Sequence, residues 1–425
     1  MESNMPIQNF SELEVQSVII ENFRCIKFAK VDINSKITVL IGKNGSGKTS
    51  ILDAIAIALQ RFQNAWEYSN KTRQISRSER IDSGDITSNQ DFSLIDLIMK
   101  SPTNNIFGEI TTRIRCHSNK VIANDNFASL VNEINGYNGK FHKPLFIYYS
   151  QSRSFESFKS SKTSALSEDS LDGNLRVISS LEEWWDQRDA QEARTVRDNG
   201  HHDFRDPQLE AIRNLVRRIE GFKEIFYSAS LRPQGLYFRK NNGSSVHVSK
   251  LSSGERSYII LLADLARRLQ LSAPEKDLSS IPGIVLIDEI ELNLHPAWQS
   301  EIIQTIQEVF SSCQFIITTH SPQVISAIES LNVRNVRRSD NGDITLDTPK
   351  STRGRSSNYL LEGVFEAKER LPEVDKLIYD FNNSIERADL DKAESLFAKI
   401  QNIIEGMPSD LLILKKRIRE LREQK

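Results

Sequence analysis

A glycine-rich loop between a strand and a helix constrains this chain more than any other feature. The apolar run 36–41 (KITVLI) leads directly into residues 42–49 (GKNGSGKT), and apolar side chains then recur at helical spacing between residues 51 and 62. The loop matches GxxxxGK(S/T), in which backbone N–H groups close around phosphates, the lysine bridges the outer phosphates and the hydroxyl meets Mg²⁺. The segment therefore predicts an α/β fold that binds ATP where a strand becomes a helix. The residues predicted to hold the nucleotide are Gly42, Lys43, Asn44, Gly45, Ser46, Gly47, Lys48, Thr49 and Ser50, with Thr49 also on Mg²⁺.

Two acidic residues follow a second apolar run, 283–287 (GIVLI). This pattern is typical of a buried parallel strand that delivers carboxylates at its carboxyl end. We expect Asp288 to hold Mg²⁺ through water and Glu289 to orient and polarise the attacking water. Apolar strands often end in acids, so the pattern gains weight from its pairing with the phosphate loop.

A third apolar run, 313–318 (CQFIIT), leads to His320. A lone histidine is usually structural. Here it ends a strand that should lie beside the strand of Asp288, where a neutral imidazole can hydrogen-bond the γ-phosphate or the attacking water. We therefore predict a catalytic role for His320 together with Glu289.

A turn of small residues precedes an amphipathic helix in the segment 250–269 (KLSSGERSYIILLADLARRL). Taken alone, this is a well-capped helix with Glu255 in its first turn. The same turn can also direct hydroxyl and backbone donors at an anion on the helix N-terminus. The residues predicted to contact nucleotide in this way are Ser252, Ser253, Gly254 and Glu255.

The overall composition is that of an ordinary soluble protein. The 55 basic and 57 acidic residues nearly cancel, so any contact with DNA or RNA must be a local patch. The three cysteines, Cys25, Cys116 and Cys313, are isolated, and we interpret all three as packing residues in a reducing compartment. No run approaches the roughly 18 apolar residues that span a bilayer, so we expect a cytoplasmic protein without a membrane partner.

The four motifs, in this order, resemble the ABC-type ATPase family, and more narrowly its SMC/RecF/OLD-like branch. The segment ENFRCI followed by ITVLIGKNGSGKTSILDAI is similar to that branch's first lobe, and LSSGE resembles its signature motif. The resemblance implies a homodimer that closes on two ATP molecules, with residues 252–255 acting on the partner's nucleotide. It assigns Asp288 and Glu289 to the Walker B pair and His320 to the switch histidine. It also implies that Gln151, which follows the apolar run 143–150, completes the Mg²⁺ shell as the Q-loop glutamine, although glutamines after strands are common. Arg24 either approaches the nucleotide or is a surface arginine.

The expected architecture is an ABC-type P-loop ATPase head with inserted β and helical segments and a C-terminal helical hairpin. Three features differ from those of transporter subunits: the signature serine at 253, the ELNLHP segment after Walker B and the loop 273–283. The sequence also lacks the sustained heptad repeats that form the coiled-coil arms of SMC proteins. The expected boundaries are 1–63 for ATPase lobe I, 64–142 for a partly β insertion, 143–155 for a return strand and Q-loop, 156–244 for a mobile loop and helical insertion, 245–335 for ATPase lobe II, 336–363 for a linker and 364–425 for C-terminal helices.

With a compact head and no nuclease motif of its own, the chain resembles the PtuA-type ATPases of Septu and some retron anti-phage systems. That resemblance implies a separate nuclease partner, of HNH type. Two other functions compete with this hypothesis. One is a RecF-like DNA-repair ATPase that binds DNA through positions such as Arg213, Arg217 and Arg218. The other is the nucleotide-binding subunit of a transporter.

Overall fold

The computed structural model describes residues 13–68, 83–100, 109–117, 120–125, 145–151, 177–200, 203–274, 276–366, 371–406 and 409–423. The chain forms two compact units, Met1–Arg355 and Ser356–Lys425. The strands of the first unit are β1 (Glu14–Phe23), β2 (Ile26–Asp32), β3 (Ile37–Ile41), β4 (Phe92–Lys100), β5 (Glu109–His117), β6 (Lys120–Asp125), β7 (Phe146–Tyr149), β8 (Phe222–Ser228), β9 (Gly235–Lys240), β10 (Ser245–His247), β11 (Gly283–Ile287), β12 (Cys313–Thr318), β13 (Val333–Arg338) and β14 (Ile344–Asp347). Its helices are α1 (Lys48–Tyr68), α2 (Val177–Asn199), α3 (Pro207–Arg217), α4 (Ser253–Ser272), α5 (Pro296–Val309) and α6 (Pro322–Ser326).

A mainly parallel sheet positions the predicted site. Its strand order is β14-β13-β3-β12-β11-β7, and only β14 runs antiparallel to its neighbour. Every residue of β3, β7, β11 and β12 is buried, as expected for strands covered on both faces. The four strands that precede the predicted site residues are therefore direct neighbours, and their carboxyl ends meet at one edge of the sheet.

An antiparallel sheet packs on the other side of α1. Its order is β2-β1-β4-β5-β6, so the three described strands of the expected insertion 64–142 extend the sheet that β1 begins. Helix α1 contributes Ile51, Leu52 and Phe62 to a core shared with both sheets. Gln314 of β12 also joins the sheets, because its amide bonds both the N–H and the carbonyl of Val15 at 2.8 and 2.9 Å. These contacts fix the antiparallel sheet against the nucleotide-binding sheet.

Helices α2 and α3 accompany a third sheet, of order β10-β9-β8. Trp184 and Trp185 of α2 are buried in an edge-on arrangement, and Asp206 caps the N-terminus of α3. The predicted helices in this part of the chain are confirmed. The mobile loop expected at 155–177 falls almost entirely on residues 152–176, which lie outside the described residues.

The expected linker at 336–363 is wrong for its first part. Strand β13 pairs with β3, and β14 pairs with β13, so both belong to the main sheet. The polar sequence suggested a linker because β14 forms the edge of the sheet, and the side chains of Arg337 and Arg338 at the end of β13 reach the surface. The division between the two compact units instead falls after Arg355.

The second unit is helical, as expected. Its elements are α7 (Ser357–Gly363), α8 (Pro372–Glu386), α9 (Leu390–Ile403) and α10 (Ser409–Glu423). Phe381, Ile400 and Leu411 belong to one apolar cluster, so α10 packs onto the expected hairpin of α8 and α9 as a third helix. No helix in the described part of the chain is long and apolar enough to cross a membrane.

Candidate active site

The phosphate loop connects β3 to α1 in a conformation that requires glycine. Gly42 has a φ of +145°, and a Cβ there would lie 2.4 Å from the carbonyl oxygen of Val336 in β13. Gly47 has a φ of +102°, and its Cβ would lie 3.0 Å from Ile344 Cδ1 of β14. Strands β13 and β14 therefore support the loop from behind, and only glycine fits at these points.

Lys48 lies at the first residue of α1 and is buried. Its Nζ donates to the carbonyl oxygens of Gly42 and Lys43, both at 3.0 Å, so the ammonium group is held across the loop. Burial lowers the pKa of Lys48, while the nearby carboxylates of Asp288 and Glu289 favour its charged form. The hydroxyl of Ser46 is buried and has no hydrogen-bond partner in the described part of the chain. The cationic lysine is a group that bound phosphate would satisfy.

The Mg²⁺ ligands predicted from sequence lie together. The Thr49 hydroxyl donates to Asp288 Oδ2 at 2.9 Å, and Asp288 is only 1% exposed at the end of β11. A hydroxyl and a carboxylate are the hard oxygen ligands that Mg²⁺ prefers, so these residues fit the ion. When bound, Mg²⁺ neutralises charge on the phosphate oxygens.

Strands β11 and β12 are tied together at the ends that carry Glu289 and His320. The fully buried Thr318 hydroxyl donates to Asp288 Oδ1 at 2.5 Å and accepts from the Glu289 N–H at 2.7 Å. Glu289 has a φ of +47°, so the chain turns sharply immediately after Asp288. The turn that follows brings Glu291 next to His320, and Glu291 Oε1 accepts a hydrogen bond from the His320 backbone N–H.

A cavity of about 320 Å³ collects these groups. It is lined by Cys25, Asn44, Gly45, Gly47, Lys48, Thr49, Ser50, Gln151, Asp288, Glu289 and His320. Burial lowers the pKa of His320, and the neighbouring Lys48 charge lowers it further, so the imidazole is kept neutral near pH 7. A neutral imidazole can donate one hydrogen bond and accept another. The cavity thus holds a cation for phosphate, oxygen ligands for Mg²⁺, a carboxylate and a neutral imidazole.

Comparison with known proteins identifies the family. A model of the family described as "AAA domain, putative AbiEii toxin, Type IV TA system" matches residues 37–326, more than half of the chain. The chain belongs to this family of AAA-domain ATPases. The matched segment runs from β3 to α6 and contains every residue predicted for the site.

Three curated relatives are similar to this AAA-domain ATPase. "Retron Ec83 probable ATPase" of Escherichia coli is 43% identical over 36% of the chain and 28% of its own length. "Retron Vc95 probable ATPase" of Vibrio cholerae serotype O1 biovar El Tor is 25% identical over 79% of the chain and 75% of its own length. "Septu protein PtuA" of Bacillus mycoides (strain KBAB4) is 25% identical over 72% of the chain and 38% of its own length. The chain therefore spans under a third of the first relative and three quarters of the second.

The fold resembles a solved SMC head. That structure, "Crystal structure of the SmcHead bound to the C-winged helix domain of ScpA", is 16% identical with a TM-score of 0.50, covering 79% of this chain and 97% of that chain. At this identity the similarity concerns the fold alone, and it confirms the predicted head-like α/β architecture.

The signature residues lie apart from their own chain's cavity. Ser252 caps α4 in a capping box with Glu255, whose Oε1 also accepts from Lys240 Nζ at 2.7 Å. Gly254 lies against the turn after β11, where a Cβ would be 3.1 Å from the carbonyl oxygen of Asn293. Within the described residues, none of 252–255 lines the cavity. Their assignment to nucleotide stays a prediction that needs a second copy of the ATPase.

Other predicted residues differ in their outcome. Gln151 lines the cavity and is exposed, as a mobile Mg²⁺ ligand would be. Gly42, Lys43 and Ser46 are not among its lining residues in the described part of the chain, although the carbonyls of the first two hold Lys48. The three cysteines pack as interpreted: Cys116 and Cys313 are buried, and Cys25 is partly buried against the main core while also lining the cavity.

Two arginines singled out by sequence are engaged by acids. Arg24 bonds the carboxylates of Asp53 and Asp85, beside rather than within the cavity. Arg213 is buried and forms a bidentate pair with Glu192, at 3.0 and 3.2 Å. The guanidinium of Arg213 therefore orders α2 against α3, and it is a wrong candidate for binding DNA.

Sequence reasoning missed Thr318 and Glu291. Both precede or follow motif residues by no more than two positions, and neither lines the cavity in the described part of the chain. The available signals were the threonine pair before His320 and the third acid in DEIE. These residues contact the catalytic candidates through backbone groups, which a sequence motif does not display.

Proposed function

We propose that this chain is the ATPase component of an anti-phage defence system, in which ATP binding and hydrolysis by a homodimer in the cytoplasm regulate a separate nuclease. The observation that carries the proposal is the cavity that brings together Lys48, Thr49, Asp288, Glu289 and His320. The names of the retron and Septu relatives support the defence role.

The chemistry follows from where each side chain lies. Lys48 is placed to neutralise the outer phosphates, and Thr49 with Asp288 would hold Mg²⁺, with Gln151 added from the end of β7. Glu289 would accept a hydrogen bond from the attacking water and orient it in line with the phosphorus, as the general requirements of phosphoryl transfer demand. His320 would donate from its neutral imidazole to the γ-phosphate or to that water.

The dimer is supported by the separation of the signature loop from its own cavity. Ser252 and Ser253 sit at the N-terminus of a 20-residue helix, α4, where backbone donors favour an anion. A two-fold arrangement would place this N-terminus over the partner's nucleotide. ATP would then hold two subunits together, and hydrolysis would release them.

A nuclease of HNH type is the proposed partner, and DNA or RNA would be its substrate. A RecF-like role, in which the head itself binds DNA, has less support, because Arg213 bonds Glu192 and Arg217 bonds Glu210 at 2.6 Å. Of the three basic positions suggested by sequence, this leaves Arg218 as a candidate for binding DNA.

Hydrolysis is tested by Glu289→Gln. The amide cannot act as the water-orienting carboxylate, so turnover should fall by about 100-fold or more while ATP still binds. Lys48→Ala should instead weaken ATP binding itself. Steady-state phosphate release and titration with a fluorescent ATP analogue separate the two effects. Wild-type turnover by the Glu289→Gln protein would overturn the assignment.

Action in trans is tested by mixing two inactive proteins, Lys48→Ala and Ser253→Arg. A mixed dimer contains one site with an intact phosphate loop and an intact signature loop, so random assortment should restore about a quarter of wild-type activity. If each chain used its own signature loop, both sites would stay defective and mixing would restore nothing.

The partner is tested by co-expression with a nuclease encoded beside this gene. We expect the two proteins to purify together, and the nuclease activity to change between wild-type ATPase and the Glu289→Gln variant. An ATPase dimer that is intact but has no affinity for that nuclease would contradict the proposed regulation.

A further inference from the structure

Glu291 is an acid beside the site that no step of the proposed chemistry uses. It lies two residues beyond Glu289, in the turn that follows β11, and it does not line the cavity in the described part of the chain. Oε1 accepts from the backbone N–H of His320. Oε2 is buried and makes no hydrogen bond to the described residues. A buried carboxylate with one oxygen unsatisfied is costly, so its placement next to His320 requires a reason.

The pKa of Glu291 reflects the same surroundings. Burial raises this pKa above its ordinary value, while hydrogen bonds from the His320 N–H and the Thr319 hydroxyl act in the opposite direction. Both of these donors belong to the segment that carries the switch histidine. The side chain of Glu291 is thus anchored on the segment that follows β12, in addition to its own backbone N–H.

The turn from Asp288 to Glu291 is fixed on β12 at successive points. The Glu289 N–H donates to the Thr318 hydroxyl at 2.7 Å, and the Ile290 N–H donates to the Thr318 carbonyl at 3.1 Å. Both of these contacts hold the Walker B side. In the Glu291 contact the donor and acceptor sides are reversed. The turn after β11 supplies the acceptor, and the backbone N–H of His320 is the donor.

The same arrangement relates His320 to the rest of the site. The carboxyl end of β11 carries Asp288 and Glu289, and β12 is its neighbour in register, with Ile287 opposite Ile317. Beyond this pair the two segments continue into a turn and a short helix, and the Thr318 hydroxyl and carbonyl still accept from the Glu289 and Ile290 N–H groups. Glu291 adds a contact one step further along both segments. Among the described residues, its carboxylate is the side chain that holds the His320 N–H.

We propose that Glu291 is a positioning residue, which holds the His320 backbone and thereby sets the imidazole at its working distance from the water-orienting Glu289. The proposal rests on hydrolysis at this site as proposed above. The proposal predicts that the reach of the residue 291 side chain, meaning how far its oxygen extends toward His320, affects kcat more than its charge does. The contact with His320 is a single hydrogen bond accepted by one carboxylate oxygen.

Three substitutions separate reach from charge. Glu291→Gln keeps an oxygen at the same reach and removes the charge. Glu291→Asp keeps the charge but withdraws the oxygens by one methylene, and Glu291→Ala removes both. We expect kcat within about threefold of wild type for Gln and reduced about 10- to 100-fold for Asp and Ala, because a displacement near 1 Å is enough for such losses. KM for ATP should change less than kcat. The exposed acid Glu308 provides the matched control as Glu308→Ala, which should leave both constants unchanged.

A double-mutant cycle with His320→Ala decides whether Glu291 acts through His320. In the His320→Ala background, Glu291→Asp should have little further effect on kcat, since there is no imidazole left to place. If Glu291→Ala does not fold, the Asp and Gln variants carry the test alone. The proposal is overturned if Asp is as active as Gln, if Gln loses activity as Ala does, or if the losses in the cycle simply multiply.

The controls also distinguish failure of this inference from failure of the proposed function. Full activity in Glu289→Gln or His320→Ala would remove the catalytic assignment on which the inference depends. Inactive Glu289→Gln and His320→Ala proteins, combined with a fully active Glu291→Asp protein, would leave the hydrolysis site standing and refute the role of Glu291.

Discussion

Replacing Gly42 by alanine tests how the main sheet supports the phosphate loop. Gly42 has a φ of +145°, a region that only glycine occupies readily, and its added Cβ would lie 2.4 Å from the Val336 carbonyl oxygen. That oxygen belongs to the backbone of β13, which pairs in parallel with β3. It cannot move aside as a flexible side chain can. The substitution should therefore strain the loop, or push β13 away from β3.

The magnitude follows from two contributions. The backbone conformation costs about 1–3 kcal/mol for a non-glycine residue, and forcing a methyl group into filled space costs about 1–3 kcal/mol more. We expect Gly42→Ala to lower the free energy of unfolding of the first unit by roughly 2–6 kcal/mol. Gly45→Ala is the matched control in the same loop, because Gly45 also has a positive φ, +77°, but nothing lies within 4 Å of its Cβ position. That change should cost only about 1–2 kcal/mol.

Urea unfolding without nucleotide, followed by tryptophan fluorescence, measures the difference. All four tryptophans, Trp66, Trp184, Trp185 and Trp298, lie in the first unit, so the signal reports on the ATPase part of the chain. A lower midpoint with an unchanged slope indicates lost stability rather than a changed unfolded state. Equal losses for Gly42→Ala and Gly45→Ala would refute the claim that β13 closes against the loop.

Three further substitutions test other parts of the site. Lys240→Met removes the ion pair with Glu255 at 2.7 Å, so kcat should fall several-fold while ATP binding by the phosphate loop is retained. An equal loss of kcat and of ATP affinity would contradict a role confined to the signature loop. Because burial lowers the pKa of His320 below the ordinary value of 6.5, its neutral form should persist as pH falls through 6.5, and activity should decline only at lower pH. A pH profile of kcat measures this, and His320→Gln should abolish that decline if protonation of the imidazole causes it. Gln314→Leu leaves the N–H and carbonyl of Val15 in the antiparallel sheet and the carbonyl of Asn34 without this partner. The urea midpoint should reflect a loss of about 2–4 kcal/mol, whereas an unchanged midpoint would show that these bonds are not needed to join the sheets.

The parts of the molecule that could be predicted from sequence are those with local signals. The runs that became β3, β7, β11 and β12 are mainly apolar, and each leads to a motif residue. Ser252 and Glu255 indicated the start of α4, and the capping box is present. Once the strands were known to be parallel, the meeting of Lys48, Asp288 and His320 at one edge followed from topology.

The parts that could not be predicted depend on partners distant in sequence. Strands β4 to β6 could be predicted only as a partly β insertion, because β4 pairs with β1, a strand distant in sequence, with Lys100 opposite Glu14. Strands β13 and β14 could not be recognised because several of their residues are exposed and charged or polar, which is also typical of a linker. Glu291 and Arg213 are charged residues whose burial depends on acceptors or donors elsewhere in the chain. From composition alone, such charged residues are expected to be exposed to solvent. Their buried partners become known only from the fold.

The location of β13 and β14 decides where the ATPase part of the chain can be truncated without disturbing the phosphate loop. The family match ends at residue 326, before either strand begins, yet Val336 and Ile344 back the two glycines at 42 and 47. The recognisable motif is thus only the front of the nucleotide site, and its rear wall consists of residues that the family pattern does not contain. A protein cut at residue 326 would keep every motif residue and lose the wall against which the phosphate loop is shaped. Substitutions in those two strands would therefore reshape the phosphate loop without changing a single motif residue.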